Sequence, residues 1–417
     1  MPKSVTPPAG SSCDRIPKLI FARALTLALL LFPAVGAADN RLETSGKAGI
    51  ELRLFPQSPQ FAGQYDTANL SGFIEPQFFY SWNDEADYVK FIPYLRWDQH
   101  DRERRHGDIR QLTWSHVGEG WEVHSGISKV FWGVAEFQHL VDTINQTDGV
   151  EDVDGEDKLG QPMVHLSLAR SWGILDLFAL PGFRERTFPG ADGRLRSGLV
   201  VDTDQAAYES AAGDSHLDLA ARWSRTLGDY DIGLHWFRGT NREPLLRAGT
   251  DTGGNPVLTP YYEQINQFGM DLQATLDDWL WKLELRWRDG QDDPFWALQG
   301  GFEYTLYGIA ESDTDLGLLL EYGWDERGRD ATAQVQNDLF FGTRLVLNDA
   351  DGSELLAGIG YDLDYHSHSL QVEASRRLGS GWKASLDLRL FSGDEANDPI
   401  SALRRDDHLQ LTLERYF

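Results

Sequence analysis

The chain has 417 residues, a formal net charge of −27 at pH 7 and 12% aromatic residues. So large an acidic excess argues against binding to the phosphate backbone of nucleic acids, and we expect no nucleic-acid partner. No run of 18 apolar residues follows the N-terminal region, so we do not expect a transmembrane helix in the rest of the chain.

The N-terminal region has the pattern of an export signal. Lys18 and Arg23 precede an apolar run over residues 24–35, and small residues follow that run. We therefore predict a signal peptide over residues 1–38 and a single mature domain over residues 39–417. A short buried helix is the alternative interpretation.

The single cysteine, Cys13, lies ahead of the apolar run. Export would leave the mature chain without a thiol, so no disulfide is expected to stabilise it. Removal of the signal peptide would also take the formal net charge to about −30, because it removes four basic residues and one acidic residue.

From residue 46 onward the dominant pattern is the two-residue repeat of β-strands. The segment 279–288 shows it well, because its apolar and polar residues alternate strictly. One face carries Trp279, Trp281, Leu283, Leu285 and Trp287, and the other carries Lys282, Glu284, Arg286 and Arg288. A helix would mix the two sets on every side.

About eighteen segments of this kind can be counted, with sixteen as the alternative because the segments near residues 51 and 358 are the weakest. Their centres lie near residues 51, 76, 92, 112, 124, 166, 177, 220, 234, 269, 283, 301, 319, 342, 358, 372, 387 and 412.

The connections between these segments alternate in length. Short turns, such as residues 228–229 and 277–278, alternate with longer links, such as residues 132–160 and 181–214. A closed transmembrane meander with both termini on one side needs this alternation. Closure also pairs every backbone amide in hydrocarbon. We therefore predict an all-β fold, a transmembrane antiparallel meander β-barrel of about 18 strands, wide enough for an aqueous lumen.

The C-terminal stretch, residues 408–417, resembles the last strand of Gram-negative outer-membrane β-barrels. Leu409, Leu411, Leu413 and the terminal Phe417 match its alternating apolar pattern, whereas Arg415 departs from it. The resemblance implies a location in the cell outer membrane, with Phe417 as the assembly signal for the barrel-assembly machinery. Acidic loops on such a surface would meet lipopolysaccharide through bridging divalent cations.

A second resemblance covers residues 126–148, which are similar to a segment of poorly characterised outer-membrane barrels with a W-G-x-x-E element. It opens the third long link, which in general porins folds into the lumen, so the resemblance implies a pore constriction within residues 132–160. An external loop with a solvated acidic tip is the alternative. The constriction candidates are Trp132, Glu136, Asp142, Asn145 and Asp148.

The polar faces of the predicted strands supply candidate charges for the lumen, where rings of charge select solutes. They are of both signs, which argues against a strongly anion-selective pore. Structural ion pairs between neighbouring strands are the alternative interpretation. The candidates are Arg53, Arg96, Arg222, Arg286, Arg344, Arg389, Glu75, Glu284, Glu303 and Glu321.

An acidic run over residues 151–157 raises the question of calcium binding. Asp152, Asp154 and Asp157 offer oxygen ligands, but the twelve-residue calcium-loop signature is absent, and a solvated acidic tip is the alternative. We expect no other cofactor or metal.

These patterns predict a porin-like channel for passive diffusion of small polar or amphipathic solutes, with homo-oligomerisation left open. An outer-membrane facilitator or export partner for hydrophobic compounds is the alternative. Surface recognition by long loops is a third possibility. A barrel-embedded hydrolase would need a serine and a histidine in contact, for which residues 366–369 or His124 with Ser128 are the candidates; an enzyme is not expected.

Overall fold

The computed structural model describes residues 40–290, 293–332, 335–395 and 397–417. The predicted signal peptide lies outside the described residues. Arg41–Phe417 form one compact unit. In the described part of the chain, no helix has the length and hydrophobicity needed to cross a membrane.

The described residues form 21 strands and five short 3₁₀ turns. The strands are β1 (Arg41–Leu54), β2 (Ala68–Trp82), β3 (Asp87–Asp98), β4 (Gly107–Gly118), β5 (Trp121–Ser128), β6 (Gln161–Arg170), β7 (Gly173–Pro181), β8 (Ala207–Tyr208), β9 (Leu217–Leu227), β10 (Tyr230–Thr240), β11 (Leu245–Thr250), β12 (Pro256–Tyr262), β13 (Gln264–Leu276), β14 (Trp279–Asp289), β15 (Phe295–Leu306), β16 (Asp315–Asp325), β17 (Asn337–Val346), β18 (Glu354–Asp362), β19 (His368–Arg377), β20 (Trp382–Ser392) and β21 (His408–Tyr416). The 3₁₀ turns are Thr203–Gln205, Gly213–Ser215, Ile309–Glu311, Gly328–Asp330 and Pro399–Ala402.

Eighteen of the strands form one closed antiparallel sheet. Each pairs with the next barrel strand along the chain, and β1 pairs with β21 to close the barrel. At this seam the Gly46 amide donates to the Phe417 carbonyl over 2.9 Å, and the Phe417 amide donates back over 3.0 Å. All eighteen predicted centres fall within these strands, so the predicted fold and strand number are confirmed, and the alternative of sixteen strands is wrong.

The apolar face of each strand points outward and the polar face points inward. In β14, Trp279 and Trp281 are exposed on the outside, whereas Glu284 and Arg286 are buried on the inside. This division follows from the strand period of two. Other exposed outward residues are Ile50, Leu54, Phe78, Leu95, Trp114, Phe268, Phe341 and Ile359.

The two ends of the barrel differ in their connections. At one end, here called the short-turn end, Gly228 and Asp229 join β9 to β10, and Gly228 has φ +64°, which glycine adopts without steric cost. At the other end, here called the long-loop end, the links include residues 129–160, 182–216 and 241–263. Short and long connections therefore alternate along the chain in the predicted order.

A second, three-stranded sheet lies within the long loops. β11 pairs antiparallel with β12, and β12 pairs in parallel with the two-residue β8. The sequence pattern did not predict these strands, since Pro256 and Pro260 interrupt the alternation in β12. These strands are therefore an addition to the predicted fold.

Candidate functional site

The link between β5 and β6, residues 129–160, lies inside the barrel and is called the inner loop below. Its side chains form ion pairs with Arg96 of β3, Arg344 of β17 and Arg389 of β20. Its backbone also donates hydrogen bonds to Glu284 of β14. Because these strands lie on different parts of the wall, the inner loop crosses the lumen.

Asn145 holds the base of the inner loop together. Its Oδ1 accepts from the Val130 amide over 2.8 Å, and its Nδ2 donates to the carbonyls of Ser128 and Leu159 over 2.9 and 2.8 Å. A side-chain amide that satisfies three backbone groups fixes both ends of a loop. The structure therefore places this constriction candidate in the framework of the loop.

Trp132 anchors the first turn of the inner loop against the wall. Its ring centroid lies 5.6 Å from that of Phe178 and 5.0 Å from that of His235, and the Arg222 guanidinium lies 5.5 Å away. Such aromatic and cation–π contacts add to the gain from apolar burial. The surrounding apolar cluster comprises Val141, Ile144, Met163, Phe178, Leu180, Ala220, Phe237 and Ile265.

Glu284 of the wall binds the backbone of the inner loop. It is fully buried and accepts from the amides of Val134, Ala135 and Val141 over 2.7, 2.9 and 3.3 Å. A Cβ on Gly133 would come within 2.9 Å of the same carboxylate. The glycine of the W-G-x-x-E element therefore permits the close approach.

Glu321 of β16 repeats this arrangement one step along the loop. It accepts from the amides of Glu136 over 2.8 Å and Phe137 over 3.2 Å, and the Gln299 side chain donates to it over 2.8 Å. Hydrogen bonds from amides to an ionised carboxylate are stronger than neutral ones. The two carboxylates thus fix the position of the Glu136 and Phe137 side chains.

A cluster of arginines, called the arginine anchor, holds the far end of the inner loop. Arg96 pairs with Glu151 over 2.6 Å, and Tyr94 donates to the same carboxylate over 2.9 Å. Arg53 donates to the Glu151 carbonyl over 2.7 Å and Arg104 donates to the Val150 carbonyl over 2.8 Å. The three guanidiniums also surround one wall carboxylate, that of Glu51.

Asp148 extends this cluster and belongs to a grouping that resembles a metal site. The ligand atoms of His106, Asp148 and Glu151 all lie within 4.8 Å of one another. Arg110, however, donates to Asp148 over 2.7 Å, and Thr187 donates over 2.7 Å. Because guanidiniums already neutralise these carboxylates, the geometry favours a structural ion-pair network rather than a metal centre.

The predicted calcium ligands lie near arginines of the lumen. Asp154 pairs with Arg389 over 2.8 Å, and Asp152 lies 3.8 Å from both Arg53 and Arg389. Partial desolvation and nearby carboxylates raise the pKa of Asp154 to about 7 and that of Asp157 to about 6. Calcium binding here stays a prediction, and the adjacent guanidiniums weaken the attraction for a cation.

Two cavities lie along the inner face of β17 to β20, one on each side of the inner loop. The upper cavity, about 140 Å³, is nearer the long-loop end and is lined by residues that include Phe137, Asp338 and Phe391. The lower cavity, about 350 Å³, is nearer the short-turn end and is lined by residues that include Glu136 and Lys383. Since Glu136 and Phe137 are consecutive, the inner loop separates the two cavities here.

The partition between the cavities has an aromatic part and a charged part. The Phe137 ring stacks on Phe340 with centroids 4.9 Å apart, and it lies over Gly342 and Gly358, where a Cβ would come within 3.0 and 2.8 Å of it. Glu136 pairs with Arg344 over 2.6 Å. Glycines in the wall therefore make room for the loop on this side.

Most predicted lumen charges are inside and paired. Arg222 pairs with Asp271 through two bonds of 2.5 and 2.8 Å, and Arg286 pairs with Glu243 over 3.1 Å. Glu303 lies 3.4 Å from Arg344, and Glu75 lies opposite Lys47 in the register of β1 and β2. Asp142 of the inner loop pairs with Lys158 over 3.2 Å. Phe137, which stacks on Phe340 at the partition, was not among the predicted constriction residues.

The serine and histidine candidates for a hydrolase are not joined as predicted. His124 Nδ1 lies 2.7 Å from the Ser115 hydroxyl, and Ser115 is buried beyond the reach of a substrate. Ser128 instead accepts a hydrogen bond from Thr113. His366 lies 3.3 Å from the Tyr361 hydroxyl. The geometry gives no support to hydrolysis at these positions.

No protein-family model and no curated protein matches the chain significantly. Solved structures match along most of its length. Pseudomonas aeruginosa OpdQ is 10% identical, with 91% of this chain and 99% of that chain covered and a TM-score of 0.53. A BenF-like porin from Pseudomonas fluorescens Pf-5 is 11% identical, with coverages of 91% and 98% and a TM-score of 0.51. The chain has the porin fold. Acinetobacter baumannii OccAB3, at 10% identity, 91% and 100% coverage and a TM-score of 0.51, shares this porin fold.

Proposed function

We propose that the chain is a channel of the Gram-negative outer membrane through which small polar or amphipathic solutes diffuse. The observation that carries this proposal is the pair of cavities on either side of the inner loop, along one wall of a closed barrel. The apolar outer surface supports membrane insertion, since a barrel satisfies its backbone there without water.

The barrel would have a defined orientation in the membrane. The long-loop end would face the exterior, and the short-turn end the periplasm. Acidic loops would meet lipopolysaccharide through divalent cations, and Phe417 would bind the barrel-assembly machinery. The Phe417 ring is 59% exposed beside the seam, which supports its availability. The Arg415 guanidinium lies 5.5 Å from the Trp382 ring centroid, a cation–π contact that accommodates the departure from the terminal pattern.

The constriction in this proposal is the partition at Glu136 and Phe137. Of the five constriction candidates, Glu136 lines a cavity, whereas Asn145 and Asp148 bind the framework of the inner loop. The upper cavity also has apolar walls at residues such as Leu370 and Leu403. These walls favour amphipathic solutes and keep the facilitated passage of hydrophobic compounds as a second candidate.

Conductance in planar bilayers tests the proposed function. The folded protein should produce discrete current steps, and Phe137→Ala should enlarge each step because it removes the ring that separates the cavities. The matched control is Phe131→Ala, which removes an exposed phenyl group from the same loop. A folded protein that gives no steps at any voltage would contradict channel function. Unchanged steps in Phe137→Ala would contradict the position of the constriction.

If hydrophobic compounds use the same passage, adding one should interrupt the ion current reversibly. A current that such a compound leaves unchanged would remove the second candidate.

A further inference from the structure

We infer that the passage along β17 to β20 prefers cationic solutes with an apolar body, such as small organic amines. This inference rests on the proposed function and adds the substrate class. It comes from the charges and apolar surfaces that line the two cavities. It also depends on the ion pairs that bind the basic residues elsewhere in the lumen.

The lower cavity has an excess of acidic side chains. Its charged lining consists of two basic residues, Arg344 and Lys383, and four acidic residues, Glu136, Glu354, Glu373 and Asp387. Arg344 is already paired with Glu136 over 2.6 Å and with Glu303 over 3.4 Å. Negative charge on the walls of a narrow aqueous passage raises the local concentration of cations.

Arg389, at the level of the partition, does not reverse this excess. It lies 2.8 Å from Asp154, 3.1 Å from Asp387 and 3.4 Å from Glu373. One guanidinium is thus shared among several carboxylates. Oδ1 of Asp387 is buried and has no hydrogen-bond partner among the described residues. The Asp387 carboxylate, which lines the lower cavity, is therefore only partly neutralised.

The upper cavity combines acids with an aromatic wall. Asp154 and Asp338 face a single basic residue, Arg389. The rest of the lining is largely apolar, and the stacked rings of Phe137 and Phe340 lie at its floor. Aromatic faces attract cations through their quadrupole and also accept apolar groups. A solute with an ammonium group and an apolar body satisfies both features.

The basic residues of the adjoining part of the wall, on β1, β3 and the link between β3 and β4, are withdrawn from this passage. Arg53, Arg96 and Arg104 are nearly inaccessible to water, and each pairs with Glu51. Their remaining donors bind the backbone and carboxylate of the inner loop at residues 150–151. Because these charges hold the loop, they do not form an anion route in the described residues.

Ion selectivity tests the inference directly. In planar bilayers with a potassium chloride gradient, the reversal potential should show that potassium passes more readily than chloride. Glu373→Gln combined with Asp387→Asn should move the potassium-to-chloride permeability ratio toward one. The matched control is Glu119→Gln, which removes one acid from an exposed turn outside the cavities and should leave the ratio unchanged. Chloride preference in the wild-type protein would overturn the inference.

Solute uptake adds a second measurement, because inorganic ions do not report on the apolar body. Liposomes that contain the protein should admit benzyltrimethylammonium faster than tetramethylammonium, and both faster than benzenesulfonate, because these permanently charged probes cross a bare bilayer slowly. Uptake led by benzenesulfonate, or equal for all three, would contradict the inference. Complete absence of current steps would instead contradict the proposed function, so the two failures are distinguishable.

Discussion

On the β1–β4 side of the lumen, Glu151 of the inner loop is enclosed by guanidiniums and a tyrosine, and almost no water reaches them. On the β17–β20 side, Phe137 of the same loop rests on two wall glycines, between two cavities. One loop therefore meets two walls of opposite character. The first wall fixes it by charge, and the second leaves space beside it.

The comparison separates charges that hold the structure from charges that face a passage. A buried ion pair is strongly destabilised when one partner is removed, because the other charge is left without compensation. A partly hydrated charge beside a cavity costs little to remove but changes the local field. Substitutions on the two sides should therefore change different observables.

The largest effect is expected for Glu151→Ala. The change removes one of the two carboxylates that bind Arg96, and it removes the acceptor of the Tyr94 hydroxyl. Removing one member of a buried pair costs about 3–5 kcal/mol. We expect a loss of this size in the free energy of unfolding, measured by urea titration in detergent with tryptophan fluorescence. The control is Glu156→Ala on the same loop. The Glu156 side chain in its ion pair with His139 is 51% exposed, so the expected loss is about 0–1 kcal/mol. Equal losses of unfolding free energy in the two variants would contradict the distinction between charges that hold the structure and charges that are solvated.

A smaller effect is expected for Glu284→Gln, which keeps the shape of the side chain. The neutral amide replaces a carboxylate that accepts three backbone donors, so we expect a loss of about 1–3 kcal/mol in the free energy of unfolding. Greater current noise in single channels should accompany it as the loop loosens. Glu303→Gln is the control, since Glu303 binds the Arg344 side chain of the wall. Quiet currents in Glu284→Gln would indicate that other contacts suffice to hold the loop.

The smallest effect is a pH dependence at Asp154. Partial desolvation and Asp152 raise the pKa of Asp154 to about 7, against the opposing influence of Arg389. A carboxyl pKa above its ordinary value means that its contribution to folding stability is present at acidic pH and is lost as the pH rises through about 7. The charge appears over the same interval, so cation preference should rise from about pH 6 to about pH 8.

Reversal potentials across that interval provide the measurement, and Asp154→Asn should reduce the step, because Asp338 of the same cavity keeps its carboxylate. Asp157, with a pKa of about 6, should give a separate step at lower pH that survives this substitution. A step near pH 7 of unchanged size in Asp154→Asn would contradict the assignment to Asp154.

The sequence predicted the barrel because every crossing repeats one simple rule. In segments such as 279–288, lipid-facing and lumen-facing residues alternate, and the long and short links alternate in step. β8, β11 and β12 follow no such rule. They are short and lie within loops, and β12 is interrupted by proline, so their pairing depends on contacts that periodicity does not encode.

The candidate site was less predictable, because the inner loop has no period. The W-G-x-x-E resemblance placed the loop at the third long link, and Glu136 does line a cavity. Polar residue type alone did not distinguish Glu136 from Asn145, whose side chain satisfies buried backbone groups. Phe137 was missed because its role depends on Gly342 and Gly358, which are remote in the sequence.

The seam between β1 and β21 has a consequence for biogenesis. Two backbone hydrogen bonds join Gly46 to Phe417, almost the full described length apart in the chain. Hairpins such as β13 with β14 form between sequence neighbours, but this last pairing requires a search over the longest possible separation. Until it forms, the first and last strands present open hydrogen-bonding edges to which another polypeptide could add. A factor that accompanies the nascent chain must therefore shield these two edges until the seam forms.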